Sequence, residues 1–285
     1  TAYDAVDSDY DLTDNAATLL STTGVDAVVD SGVDTVFVTD SSVDAATGAE
    51  LNALELALEN VAGGTDINFT VTDTAGAVAS ELSSMSGDEL NEANDVNVVG
   101  GTINVAEAAL VQSIDAYDNI DSDYDIEDNA ATLLSTTGVD AVVDSGVDQV
   151  FVTDSSVDAD TGVQLSSLEG RLLDETVNGE TANINFTVTD SSSAVLSNSD
   201  GLLGADQINV TDDVNASDGA ALNILENSMD AVTTSQSADI DFTVTDTAGA
   251  IASELSAMTG DELNAASDVN VVGGTIDVAA ADAVQ

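Results

Sequence analysis

Regularly spaced aspartates in two matching segments are the side chains of this sequence best suited to chemistry. In each segment three aspartates occupy alternate positions, and a fourth follows three residues later. The eight residues are Asp7, Asp9, Asp11, Asp14, Asp121, Asp123, Asp125 and Asp128. Alternate residues of an extended strand share one face and lie about 7 Å apart, so each trio concentrates negative charge. Carboxylate oxygens in this arrangement favour a hard cation, and Ca²⁺ is the natural candidate.

Two known calcium motifs do not fit these segments. An EF-hand loop starting at Asp7 would have Leu12 in place of glycine at its sixth position and Thr18 in place of glutamate at its twelfth. The nonapeptide pattern of calcium-binding β-helices is not met either, because GGTDINFTV lacks its glycine and aspartate spacing. The alternative is a hydrated acidic face in a protein that is acidic throughout, and the sequence leaves both interpretations open.

Other candidate groups have simpler explanations. Asp26, Asp30 and Asp34, repeated as Asp140, Asp144 and Asp148, fit turn and helix-cap positions, with metal binding as the weaker alternative. Alternating threonines such as Thr70 and Thr72 could form an ordered ice-binding face, although threonine is a common strand residue. Paired carboxylates hydrolyse glycosides in some enzymes, but close pairs are inevitable among 55 acidic residues. We therefore predict no enzyme activity.

The composition excludes several classes of function. The 285 residues include 55 acidic residues, one base, Arg171, and no Lys, His, Cys, Trp or Pro, and the net charge is −54. Nucleic-acid binding and docking on anionic membranes need basic residues. The ordinary zinc sites, thiol chemistry and Ser-His catalysis need Cys or His. A body with this charge is most stable where salt or divalent cations screen it, which predicts a saline exterior.

The sequence repeats itself. Residues 8–45 and 122–159 match at 35 of 38 positions, with an offset of 114, and residues 69–106 and 242–279 match at 32 of 38, with an offset of 173. These offsets are close to two and three times 57, which predicts about five repeats. The approximate repeats are 8–66, 67–121, 122–183, 184–239 and 240–285.

Each repeat contains two strand-like segments followed by helix-like segments. The segment Asp66–Asp73 (DINFTVTD) alternates apolar and polar residues, as a half-buried strand does. Apolar residues then recur at intervals of three and four, and Asp73, Asp128 and Asp246 fit helix N-caps. Connections of 20–30 residues predict parallel strands with right-handed crossovers. The predicted fold is an α/β, right-handed solenoid over residues 1–285, part of a longer array or stacking end to end.

The recurring pattern resembles repeats of giant acidic cell-surface proteins of marine cyanobacteria and alphaproteobacteria. It reads Y/F-x-I/V-x-D-[TN]-A-[AG]-x-[LV], followed by A-x-x-V-x-V-T-D, and occurs at 69–78, 124–133 and 242–251, with a looser second half at 141–154. The resemblance implies an extracellular, often calcium-dependent protein that serves adhesion, surface layers or motility.

These observations predict a structural repeat segment of a secreted or surface-displayed protein, such as a filament, stalk or adhesin. Its expected partners are copies of itself, adjoining repeats, divalent cations and surface polysaccharide, without nucleic acid or membrane insertion. A Ca²⁺-dependent carbohydrate-binding module or an ice-binding module is the alternative.

Overall fold

Short strands and helices alternate along the chain. The computed structural model describes residues 10–28, 33–62, 66–84, 90–119, 121–144, 146–174, 183–232, 239–257, 263–277 and 281. The strands are β1 (Tyr10–Asp14), β2 (Val33–Val38), β3 (Asp66–Asn68), β4 (Thr70–Asp73), β5 (Asp95–Ile103), β6 (Asp123–Asp128), β7 (Val147–Val152), β8 (Asn183–Asn185), β9 (Thr187–Asp190), β10 (Gln207–Val210), β11 (Asp239–Asp241), β12 (Thr243–Asp246) and β13 (Asp268–Val271).

The helices connect these strands, apart from the breaks within β3–β4, β8–β9 and β11–β12. They are α1 (Ala16–Leu19), α2 (Thr22–Val28), α3 (Ala45–Ala62), α4 (Ala75–Ser84), α5 (Val105–Val111), α6 (Ala130–Leu133), α7 (Thr136–Val142), α8 (Ala159–Asp174), α9 (Ser192–Ser197), α10 (Ala216–Val232) and α11 (Ala248–Ala257), with one 3₁₀ turn at Ser199–Gly201. Within the described residues, no helix has the combination of length and hydropathy that a bilayer-crossing segment requires.

The strands pair in parallel and form several small sheets. Their orders are β1-β2-β3, β4-β5-β6-β7-β8, β11-β10-β9 and β12-β13. Parallel pairing and helical crossovers agree with the pattern of the sequence, but the predicted continuous solenoid is wrong. The architecture is a mixed α/β arrangement of separate three-, five-, three- and two-stranded parallel sheets.

The breaks between sheets come from a phenylalanine inside the DINFTVTD-type segments. Phe69 separates β3 from β4, so that β3 pairs with β2 and β4 pairs with β5. Phe186 and Phe242 occupy the same position between β8 and β9 and between β11 and β12. All three rings are almost fully buried. One predicted strand is therefore two short strands in different sheets, which the alternating pattern could not reveal.

The described chain forms two compact units. One comprises the described residues within 1–127 and 140–148, and the other comprises the described residues within 128–139, 149–174 and 181–285. The core of each unit is aliphatic, because aromatic residues make up only 3% of the chain. Strand residues with 0% exposure include Val71, Val96 and Ile126 in the first unit and Val188 and Val244 in the second. The boundaries of the five predicted repeats stay a prediction.

Candidate functional site

The aspartates predicted to bind Ca²⁺ lie on and beside strands β1 and β6. Asp7 and Asp9 are outside the described residues. Asp11, Asp121 and Asp123 are exposed, and Asp125 is partly exposed and accepts a long hydrogen bond of 3.5 Å from the Thr102 hydroxyl. In the described part of the chain, no three or more acidic side chains converge as a metal site would require. Calcium binding by these residues therefore stays a prediction.

The last aspartate of each acidic segment is engaged with the backbone. Asp14 Oδ1 accepts from the backbone N–H of Asn15 at 2.8 Å and from its side-chain amide at 3.1 Å. Asp128 Oδ1 accepts from Asn129 in the same two ways, at 2.8 and 2.9 Å. The asparagine in turn caps the next helix: Asn129 Oδ1 accepts from the backbone N–H of Thr132 at 3.0 Å. The strand-ending aspartate thus orients the capping residue.

The prediction that Asp73, Asp128 and Asp246 are helix N-caps is therefore wrong by one residue. The caps are the residues that follow, Thr74, Asn129 and Thr247, and the hydroxyl of Thr74 accepts from the backbone N–H of Ala77 at 3.4 Å. The physical reason is that the aspartate is the last residue of its strand, and its carboxylate accepts the backbone N–H of the capping residue.

A recurring aspartate, at the end of a strand or two residues beyond it, binds the first residue of a helix that lies earlier in the chain. Asp190 shows the geometry: Oδ1 accepts from the backbone N–H of Ser191 at 2.7 Å, and Oδ2 accepts from the backbone N–H of Ala159, the first residue of α8, at 3.0 Å. We call the contact between such an aspartate and the backbone N–H of the first helix residue the aspartate clasp. Its members and the residues they bind are Asp40 with Ala16, Asp73 with Ala45, Asp154 with Ala130, Asp190 with Ala159, Asp212 with Ser192, and Asp246 with Ala216.

The aspartate clasp places negative charge where helix N-termini favour it. The first N–H groups of a helix have no partner within the helix, and the helix dipole is positive at that end. The backbone N–H of Ser192 lowers the pKa of Asp212, and the backbone N–H of Ala216 lowers the pKa of Asp246. Hydrogen bonds from Thr47 and Thr161 likewise lower the pKa values of the capping residues Asp44 and Asp158. These carboxylates are therefore structural acceptors.

A glycine pair replaces the aspartate clasp in two strands. Gly100 and Gly101 in β5, and Gly273 and Gly274 after β13, have φ between 74° and 98°, which glycine adopts without strain. The carbonyl of Gly273 accepts from the backbone N–H of Ala248 at 2.9 Å. The carbonyl of Gly273 thus accepts the first backbone N–H of helix α11, as the carboxylate of an aspartate clasp does for other helices.

Three long helices carry a glutamate on the side that faces the protein interior. Glu55, Glu169 and Glu226 are each the eleventh residue of their helix, in α3, α8 and α10. Glu226 Oε2 accepts from the backbone N–H of Ile240 at 3.0 Å, and Glu169 accepts from the backbone N–H of Ile184. Glu55 is 6% exposed. Sequence reasoning missed this set, although an acid recurring at one helix position was a readable signal.

Glu169 is the most strongly perturbed of these acids. Burial raises its pKa to about 7, and the neighbouring negative charge of Asp206 adds to the effect. Asp206 accepts from the backbone N–H of Phe186 at 2.8 Å, and burial raises its pKa as well. Gly204 lies against Glu169, because a Cβ atom there would collide with Glu169 Oε2. Burial also raises the pKa of Glu226.

A buried polar cluster surrounds Tyr124, which is 1% exposed. The amide of Gln112 donates to the Tyr124 hydroxyl at 2.7 Å and to the carbonyl of Ala141 at 2.8 Å. The hydroxyl of Tyr117 donates to Asp144 Oδ1 at 2.8 Å. Burial raises the pKa of Tyr124 to about 12 and also raises that of Tyr117. Both tyrosines are thus neutral side chains that fasten neighbouring segments together.

The threonines proposed for ice binding do not stand beside each other. Thr72 pairs with Asn97 in the next strand, Thr189 with Asn209, and Thr245 with Asn270. These threonines are half-buried. The register of these strands therefore gives the ice-binding alternative no support.

Comparisons with known proteins do not assign the chain to a family. No family model matches it, and no curated protein matches it significantly. Among solved structures it has a weak likeness to the carboxyl transferase domain of Rhizobium etli pyruvate carboxylase with 3-bromopyruvate, with 12% identity and a TM-score of 0.17. The match covers 94% of this chain and 40% of that one. A TM-score this low carries no argument about fold or activity.

Proposed function

We propose that this chain is a structural repeat segment of a secreted or surface-displayed protein, with a polyanionic surface that cations stabilise. The observation that carries the proposal is the aspartate clasp. The same carboxylate-to-helix contact recurs in six strand–helix steps, where it serves the architecture. Near-identical copies of long segments are typical of proteins that build length or surface from a repeated unit.

A non-catalytic role fits the perturbed acids of the described residues. Shifted pKa values mark many active sites, but structural networks produce them as well. Here the acids with raised pKa values, Glu169, Asp206 and Glu226, each accept a backbone N–H of a neighbouring strand or strand break. The two perturbed tyrosines are likewise bonded within the fold. The hydrogen bonds that these groups make within the fold therefore account for their burial.

The net charge supports a saline setting with divalent cations. Fifty-four uncompensated charges repel one another, and the repulsion weakens as salt shortens the screening length. The exposed Asp121 and Asp123 are available to cations at the surface. Their exposure also supports the second candidate function, a Ca²⁺-dependent module that binds surface polysaccharide.

Surface display is tested by immunogold labelling of intact source cells with antibodies raised against the purified chain. We expect gold particles on the outer surface of unpermeabilised cells or on material released from them. An antibody against an internal protein, applied to the same cells, is the control for leakage. Labelling that appears only after permeabilisation would overturn the proposed function.

A further inference from the structure

The long helices α3, α8 and α10 each pack against a short segment that immediately precedes a strand. We call these the lead-in segments: residues 90–94 before β5, 202–206 before β10 and 263–267 before β13. All three have the same turn, in which the fourth residue donates its backbone N–H to the carbonyl of the first at 3.1–3.2 Å. In each pair the fourth helix residue is a glycine that lies against the leucine opening the segment. The three helix–segment pairs are therefore directly comparable.

In two of the pairs an asparagine fastens the helix to its lead-in segment. Asn52, the eighth residue of α3, accepts the backbone N–H of Glu92 through Oδ1 at 2.9 Å. Asn223, the eighth residue of α10, accepts the backbone N–H of Ala265 in the same way at 3.1 Å. Glu92 and Ala265 are both the third residue of their segment. The bond thus ties the middle of the helix to the middle of the segment.

Helix α8 does not make this bond. Its eighth residue is Ser166, whose hydroxyl oxygen is buried and has no hydrogen-bond partner among the described residues. The third residue of its segment is Gly204, where a Cβ atom would collide with Glu169 Oε2. The carboxylate of Glu169 thus fills the space that the Cβ atoms of Glu92 and Ala265 take up in the other two segments. In this pair a carboxylate packed against the segment replaces the asparagine bond.

The same pair has a second carboxylate at the end of the segment. The fifth residue is Asp206, whereas it is Asn94 and Ser267 in the other two segments. Asp206 Oδ2 accepts the backbone N–H of Phe186 at 2.8 Å, and its charge acts on Glu169. Burial raises the pKa of both acids. Two acids therefore stand together where the other segments place a neutral side chain.

Other charged side chains of the described elements around α8 stand apart from this pair. The elements in contact with α8 are β8, β9, α9 and the 3₁₀ turn, and β8 and α9 carry no charged residue. The acids of the other two lie at the first turns of the helix: Asp190, which binds Ala159, and Asp200, whose neighbour Gly201 lies against Val163. On α8 itself, Asp160 lies in the first turn and Arg171 is exposed.

On the far side of Asp206 there is one further acid in the described chain. The backbone N–H of Asp239, in β11, donates to the carbonyl of Asp206 at 3.4 Å, and the side chain of Asp239 is exposed. Its charge acts on Glu226 of α10. Neither of these acids neutralises Asp206, so the pair of Glu169 and Asp206 faces like charges and no base.

We propose that Glu169 and Asp206 form a proton-controlled latch between helix α8 and the lead-in segment 202–206. While Glu169 holds a proton, one member of the pair is neutral and the segment stays packed on the helix. When both acids are ionised, they repel each other and no asparagine bond opposes the repulsion, so the segment loosens. The segments 90–94 and 263–267 stay closed at the same pH, because Asn52 and Asn223 hold them.

The direction of the switch follows from the environment of Glu169. Burial gives the closed state a pKa of about 7, against 4.5 for an ordinary glutamate. The closed state is therefore fully favoured below pH 4.5 and loses stability as the pH rises through 7. The inference goes beyond the proposed function, because it concerns contacts within one compact unit and holds wherever the protein is displayed.

Amide hydrogen exchange of the full 285-residue chain at pH 5.5 and pH 8 in 0.5 M NaCl, corrected for the intrinsic exchange rates, tests the proposal. We expect the protection of peptides covering 202–206 to fall by about tenfold or more between the two pH values. The shift of the pKa from 4.5 to about 7 limits the fall to about 25-fold. Peptides covering 263–267, in the same unit, are the internal control and should keep their protection.

Two variants of nearly unchanged shape assign the effect to the pair. Glu169→Gln and Asp206→Asn each remove one of the two charges, and each should reduce the pH-dependent fall to less than about threefold. Asp200→Asn removes an exposed charge from the neighbouring 3₁₀ turn and should retain the full effect. Unchanged melting temperatures at pH 5.5 show that the variants are folded.

Three results would overturn the proposal. The first is equal protection of residues 202–206 at the two pH values in the wild type. The second is an equal fall in 263–267, which would indicate general charge repulsion in the unit. The third is a fall in 202–206 that Glu169→Gln and Asp206→Asn both retain in full.

Discussion

Removing the charge of Glu169 should stabilise the protein at alkaline pH. The carboxylate lies on the inner side of α8, accepts the backbone N–H of Ile184 and stands near the charge of Asp206. In the substitution Glu169→Gln, the side-chain oxygen remains an acceptor for the backbone N–H of Ile184, and the repulsion by the charge of Asp206 is removed. The substitution therefore removes a buried charge and keeps the shape of the site.

The size of the effect follows from the raised pKa. An ordinary glutamate has a pKa of 4.5, and that of Glu169 is raised to about 7 in the folded chain. The folded state therefore holds the proton more tightly than the unfolded state, and stability is lost as the pH rises from 4.5 through 7. At 1.36 kcal/mol per pH unit, the full loss is about 3 kcal/mol at pH 8 and about 1 kcal/mol at pH 5.5.

The assay is urea unfolding of the wild type and the variant at pH 5.5 and pH 8 in 0.5 M NaCl. We expect the variant to be more stable at pH 8, and its advantage to grow by about 2 kcal/mol between the two pH values. Asp200→Asn removes one charge from an exposed residue of the same unit and controls for general charge repulsion. Equal stability of Glu169→Gln and Asp200→Asn at pH 8 would show that the carboxylate is well hydrated in solution and refute the reasoning.

Three further predictions concern the aspartate clasp, helix packing and cations. Asp190→Ala removes the acceptor of two backbone N–H groups and should lower the free energy of unfolding by about 1–2 kcal/mol, and Asp190→Asn should lower it less. Urea unfolding measures both variants, with Asp200→Asn as the control. A loss of stability no greater than that of Asp200→Asn contradicts the structural role of Asp190. In α8, Gly162→Ala should destabilise the protein by about 1–2 kcal/mol, because the new Cβ would lie 2.8 Å from Val188 Cγ2. Gly170→Ala adds a Cβ in open space on the same helix and should stabilise the protein by about 0.5–1 kcal/mol. Thermal melts of the two variants test this, and stability changes of the same sign refute it. CaCl₂ at ten times its dissociation constant should stabilise the chain by about 1.4 kcal/mol more than NaCl of equal ionic strength does. The double substitution Asp123→Asn with Asp125→Asn should reduce this difference. Equal melting temperatures in the two salts would contradict specific Ca²⁺ binding.

The duplicated segments illustrate how far a sequence pattern reaches. Alternating residues correctly located the strands around Val71 and Val244, because a half-buried strand requires that alternation wherever it lies. The same pattern could not show that Phe69 and Phe242 interrupt these strands, since a buried aromatic residue fits both a continuous strand and a break. The continuous solenoid was wrong for this reason.

The acidic residues likewise separate what the sequence shows from what only the structure shows. The number and spacing of the carboxylates were plain in the sequence, but the partner of each was not. Asp73 reads as a helix cap from its neighbours, whereas its second oxygen binds Ala45, 28 residues away. Glu169 reads as a surface residue of a charged helix, and only its burial in the fold, with the charge of Asp206 nearby, raises its pKa to about 7.

The sequence by itself determined the α/β class, the parallel crossovers, the internal duplication and the polyanionic character, because these follow from periodicity, segment length and composition. The tertiary structure alone decided which strands share a sheet and which carboxylates clasp helices or lie buried. These outcomes depend on contacts between residues far apart in the chain, which a local sequence pattern does not contain.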